Sequence, residues 1–124
     1  MIKGFIKHMA KVNRLIESPP FAVENSIKQL GSNLRIARVR RNLSIASVAE
    51  RIGTGPRAVM DAEKGKLSTG IAVFAALLWL YDQLDQLDQV ALPEGDAEGI
   101  VFESASRRIR AGRVHRAGEL DNDF

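Results

Sequence analysis

The chain has 124 residues, 18 Lys+Arg against 15 Asp+Glu, and no cysteine. With 45% apolar and 27% charged residues it is globular in composition, which excludes a wholly disordered chain. The length fits one compact domain with flanking arms, and the missing thiols exclude a disulfide framework, a cysteine nucleophile and thiolate metal ligation.

The longest apolar run, over 70–81, is too short for a bilayer, which needs about 20 residues. The opening MIKGFIKHMAKVNR is basic but has no long apolar core or small-residue cleavage site, so no signal peptide is expected. The formal net charge of +3 conceals a division along the chain. Residues 26–66 hold nine basic and three acidic side chains, a net +6. Residues 67–100 hold no Lys or Arg and six acids, a net −6. Such a division predicts two faces with different partners, the basic one suited to a polyanion.

In chain order, residues 2–16 place Ile2, Phe5, Ile6, Met9, Val12 and Ile16 at helical spacing before Ser18-Pro19-Pro20 stops the helix. This segment is expected to be a mobile or weakly docked arm, or an interaction helix, ahead of a membrane-surface helix, which only four cations would support. From Ser26, the residues Ile27, Leu30, Leu34 and Ala37 predict a first core helix to about Arg41, with Asn42 suited to a left-handed turn. Ser44 is an N-cap for a second helix, whose inward stripe is Ile45, Val48, Ala49 and Ile52. Gly53-Thr54-Gly55-Pro56 breaks it, and Pro56 suits the first turn of a third helix to about Glu63, burying Ala58, Val59 and Ala62. Gly65 closes that helix. Ser68 or Thr69 caps a fourth, through about Tyr81, with Ile71, Phe74, Leu77, Leu78 and Tyr81 inward. Leu84, Leu87 and Val90 mark a fifth, and Pro93-Glu94-Gly95-Asp96 ends the folded unit. The LDQLDQ run reads as a solvated acidic helix face, not a metal site. No alternating strand pattern longer than four residues precedes Gly99, so the class is all-α.

Two short helices joined by a tight glycine turn form a helix-turn-helix. Ala49 has to be small where the third helix crosses, and Gly53 can take a positive φ where the chain reverses. Val48, Ile52, Val59 and Ala62 fill the wedge. A helix held this way can present its outer face to the DNA major groove.

The stretch LGSNLRIARVRRNLSIASVAERIGTGPRAVMDAEKGK resembles the helix-turn-helix of the lambda-repressor-like, or XRE, family, over roughly residues 27–92. The resemblance implies a five-helix DNA-binding domain over 26–93, between flexible arms at 1–25 and 94–124, the latter partly disordered. It implies that Arg38 and Glu63 form a structural ion pair, which assigns Glu63 to the fold. It places Ser44, Lys64 and Lys66 at phosphate-contacting positions, with Ile45 where the family usually has glutamine. Arg41, near the start of the second helix, is a further candidate for a phosphate contact. Gly55, Pro56, Arg57 and Asp61 match base-facing positions, with Thr54 and Met60 at the edge. Gly55 and Pro56 offer no hydrogen-bonding side chain, whereas Arg57 can address guanine O6 and N7, and Asp61 a cytosine amino group. An Arg57–Asp61 surface pair is the alternative. Arg35, Arg40 and Arg51 read as solvated surface.

The fourth helix is too apolar for one buried stripe, which leaves Val73, Trp79 and Leu80 for an interface, expected to be a two-fold dimer, with cover by the arms of the same chain as the alternative. The flanks ESPPFAVENSIKQLGSNLRIARVRRN and GKLSTGIAVFAALLWLYDQLDQLDQVALPEGDAEGIVFES resemble antitoxins of the HipB type. That resemblance implies operator binding as a dimer, a HipA-like serine/threonine kinase toxin as partner, and a bacterial cytoplasmic, nucleoid-associated location. Beyond Gly99, Ile100-Val101-Phe102 suits a short strand or a docking segment, and the arginines that follow suit an arm without a core of its own, which adds salt-sensitive DNA affinity or orders on a toxin. His8 and His115 are isolated and read as solvent-exposed. The competing functions are a stand-alone or phage-type repressor, and a protein-interaction module whose helix-turn-helix no longer binds DNA. No nucleophile–base pair or phosphate loop points to an enzyme, and no cofactor, metal or membrane is called for.

Overall fold

The computed structural model describes residues 13–117, with side chains through residue 113. Its helices are α1 (Arg14–Glu17), α2 (Phe21–Arg40), α3 (Ile45–Ile52), α4 (Pro56–Lys64), α5 (Ile71–Leu80), α6 (Leu84–Asp88) and α7 (Ala97–Ala117). A 3-10 turn at Pro93–Gly95 precedes α7. The described residues contain no strand, so the class is all-α as the patterning predicts. The chain divides into two compact units, one ending at Leu87 and the other starting at Asp88.

The first unit is built on one apolar core. Leu34 and Ala37 of α2, Val48 and Ala49 of α3, Val59 and Ala62 of α4, and Phe74, Leu77 and Leu78 of α5 are buried together with Tyr81. Ile27, Leu30, Leu43, Ile45, Ile52, Leu84 and Leu87 pack around them half-buried. Burial of a Val or Leu side chain contributes about 1.5–3 kcal/mol. These residues therefore carry the fold.

The short helices begin and end where local chemistry dictates. The Ser44 hydroxyl accepts a hydrogen bond from the Ser47 N–H at 3.1 Å, capping α3. Gly53, at φ +82°, turns the chain left-handed after α3. The Gly53 N–H donates to Glu50 O and the Thr54 N–H to Ala49 O, a Schellman closure. Gly65 closes α4 in the same way, with the Lys66 N–H on Asp61 O at 3.0 Å. Residues 53–55 are thus the whole connection between α3 and α4.

Several expectations need correction. The first core helix starts at Phe21, not Ser26, because Pro20 sits at its N-cap and nothing in FAVEN interrupts helix propagation. Phe21 and Val23 are exposed, so this extra turn leaves no core periodicity in the sequence. α5 starts at Ile71 behind Gly70, without a side-chain cap from Ser68 or Thr69. Ile71 is 68% exposed and lies outside the core to which the pattern assigned it, while Val73 packs against that core. Val90 is exposed beyond the end of α6.

The second unit departs furthest from expectation. Residues 97–117 are helical where a tail without structure of its own was expected, and Ile100-Val101-Phe102 lie within that helix. Asp96 starts it, accepting the Gly99 N–H on Oδ1 at 2.9 Å. The helix packs on the 3-10 turn. The apolar stripe expected at Ile2, Phe5, Ile6, Met9 and Val12 lies outside the described residues, as does His8. The side chains of His115 and Arg116 also lie outside them.

Candidate nucleic-acid interface

α4 presents its outer side through Arg57, Asp61 and Lys64, because Val59 and Ala62 turn the opposite side into the core. Arg57 and Asp61 stand one helical turn apart, with Arg57 Nε 3.7 Å from Asp61 Oδ1. Lys66, just past the Gly65 closure, brings Nζ to 3.8 Å from the other oxygen, Oδ2. Both distances exceed hydrogen-bond length, so Asp61 holds the two cations by charge attraction alone. Arg57 is 78% exposed along its side chain, and a solvated pair of this kind contributes about 0–1 kcal/mol.

Arg57, Asp61, Lys64 and Lys66 line one cleft of about 630 Å³. Glu24 and Lys28 of α2 complete one wall, and Ile16, Glu17 and Pro19 reach its edge. Glu24 pairs with Lys28 at 2.8 Å, the i,i+4 spacing of a helix face. A second cleft, of about 260 Å³, is lined by Arg35, Arg38, Ile45, Met60, Glu63 and Lys64. Lys64 borders both clefts. Arg35, read from the sequence as solvated surface, lines the second cleft with Ile45 and Lys64. Only the packing of α2 against α4 reveals that.

The remaining candidates separate. Thr54 and Met60 are half-buried at the turn and on α4. The Ser44 hydroxyl hydrogen is left to donate, since its oxygen accepts within the cap. Arg41 is engaged elsewhere. Its guanidinium donates to Ala37 O at 3.0 Å and to Tyr81 O at 3.2 Å, and it lies 5.1 Å from the centre of the Tyr81 ring. These contacts fasten the end of α2 to the end of α5. On α5, Val73 and Leu80 are partly buried, whereas Trp79 is 60% exposed. Ile71 stands exposed on the same helix.

Arg38 and Glu63 fix α2 to α4 beneath this surface. Arg38 Nε donates to Glu63 Oε2 at 2.7 Å, Nη2 to Oε1 at 3.0 Å, and Nη1 to the Leu43 carbonyl at 2.9 Å. The hydrogen bond to Glu63 raises the Arg38 pKa above its ordinary value against the opposing effect of burial. Glu63 is therefore committed to the fold.

No protein-family model, no curated protein and no solved structure matches this chain. The functional reading rests on the geometry above and on the sequence pattern.

Proposed function

We propose that the chain is a sequence-specific DNA-binding repressor of the XRE helix-turn-helix type. The observation that carries this reading is the joint surface of Arg57, Asp61, Lys64 and Lys66 on the helix that follows the Gly53 turn. In this reading α4 enters the major groove, Arg57 contacts guanine, and Lys64, Lys66 and Ser44 meet phosphates. Asp61 holds Arg57 so weakly that a bidentate guanine contact, at about 1–3 kcal/mol, displaces it. The exposed side of α5 around Trp79 supports a homodimer on paired half-sites. The resemblance of the flanks to HipB-type antitoxins extends the proposal to operator binding within a type II toxin–antitoxin module and neutralisation of a HipA-like kinase.

A second reading, a protein-interaction module without DNA binding, is favoured by Ile45, Gly55 and Pro56, which bring no hydrogen-bonding side chain to the groove. Gel-shift titration on the DNA upstream of the chain's own coding sequence separates the two. The repressor reading expects a shift at low salt and loss of preference over scrambled DNA in Arg57→Ala. Absence of any shift, with and without a co-expressed kinase, refutes it.

A further inference from the structure

The second unit carries a charge cluster that the helix-turn-helix does not use. Arg107, Arg108, Arg110 and Arg113 fall within seven residues of α7, and all four are exposed. At 100° per residue, Arg107, Arg110 and Arg113 span about 120° of the helix circumference and rise about 9 Å. Their acidic neighbour is Glu103, paired with Arg107 one turn earlier. Arg110 Nη2 lies 3.4 Å from Ser106 Oγ. Like charges at these spacings repel within a helix, and a bound anion would relieve that repulsion. Every cation after Lys66 is an arginine, whose planar fork matches phosphate oxygens.

We infer that the arginine end of α7 is a second, sequence-independent contact to the phosphate backbone of the duplex that α4 reads. The sign of its charge matches the +6 block of residues 26–66, so one polyanion serves both. Duplex DNA offers such a cluster about one negative charge per 1.7 Å of axis. Covalent attachment raises its effective concentration at that duplex once the first unit is seated, and no base reading is required of it. The inference rests on the DNA-binding reading only for the shared duplex.

The test uses the full chain, with Arg107, Arg108, Arg110 and Arg113 all changed to Gln, and a second variant with all four changed to Lys. Binding to an upstream duplex and to a scrambled duplex is measured across salt concentrations, with circular dichroism to follow helicity. The Gln variant is expected to flatten the slope of log K against log salt by about 3–4, near 0.9 per phosphate contact. It keeps the Arg57-dependent preference for the upstream duplex, and the Lys variant keeps most of the slope. An unchanged slope in a helical Gln variant overturns the inference while the Arg57 effect leaves the repressor reading standing. A flattened slope with no sequence preference in the parent chain supports the inference and defeats the repressor reading. If the parent chain binds neither duplex, both fall. Loss of self-association alone in the Gln variant assigns the arginines to carboxylates of a second copy and overturns the inference.

Discussion

Arg38 and Glu63 show how one pair can hold this fold together. Their side chains are 12% and 6% exposed, so removing either strands a charge in a poorly solvated place. Glu63→Ala is expected to lose about 3–5 kcal/mol in urea unfolding, and the paired change with Arg38→Met to recover part of it. Tyr81 behaves differently. Its hydroxyl is buried without a hydrogen-bond partner, so Tyr81→Phe is expected to be neutral or stabilising at pH 7. Burial first, then the Glu63 carboxylate, raises the Tyr81 phenol above 10.0, against Arg38 and Arg41. The folded state then holds this proton more tightly than the unfolded one. Its stabilisation is complete below pH 10 and falls as pH rises through the folded pKa. Thermal melts from pH 8 to 11 are expected to show a decline that shrinks in Tyr81→Phe, and ultraviolet titration of this sole tyrosine checks the assignment.

Among the elements, α2 and α4 meet more closely than any pattern announces. A Cβ on Gly31 would lie 2.5 Å from Ala62 O and 2.7 Å from Glu63 O, both backbone atoms that cannot step aside cheaply. In an open helix, Gly→Ala stabilises by about 0.5–1 kcal/mol. Here Gly31→Ala is expected to reverse that sign and cost about 1–3 kcal/mol, because α4 has to move. Gly53→Ala meets no atom within 4 Å, yet its φ of +82° costs a side chain about 1–2 kcal/mol. Urea unfolding of both variants separates a steric from a conformational requirement. Gly53 was legible because it stands between two amphipathic stripes. Gly31 was not, since a glycine within a helical pattern says nothing about the backbone on the far side.

On the scale of the whole molecule, the charge division of the sequence maps onto the α4 surface only in part. The basic block supplies the α4 surface, Arg41 within it clamps helix ends, and arginines on α7 form a second cluster. The sole tryptophan offers a direct test of the proposed dimer. Trp79 fluorescence is expected to shift to shorter wavelength with rising protein concentration, in step with mass measured by sedimentation. Trp79→Ser is expected to leave a folded monomer, because the side chain lies outside the core. Constant emission across concentrations that give a dimer by mass removes Trp79 from the interface.

The sequence by itself determined the all-α class, the Ser44 cap, the glycine closures and most of the core of the first unit. Each of these follows from local propensity or from one helix's own periodicity. It also brought Arg57 and Asp61 together, since four residues on a helix span one turn. Tertiary structure decided what depends on distant neighbours. It joined Arg35 to Lys64, withdrew Arg41 onto Tyr81, turned Ile71 outward and Val73 inward, and pressed Gly31 against α4. A helix as uniformly apolar as α5 carries no preferred face of its own. Which side it buries is therefore chosen by the helices packed against it.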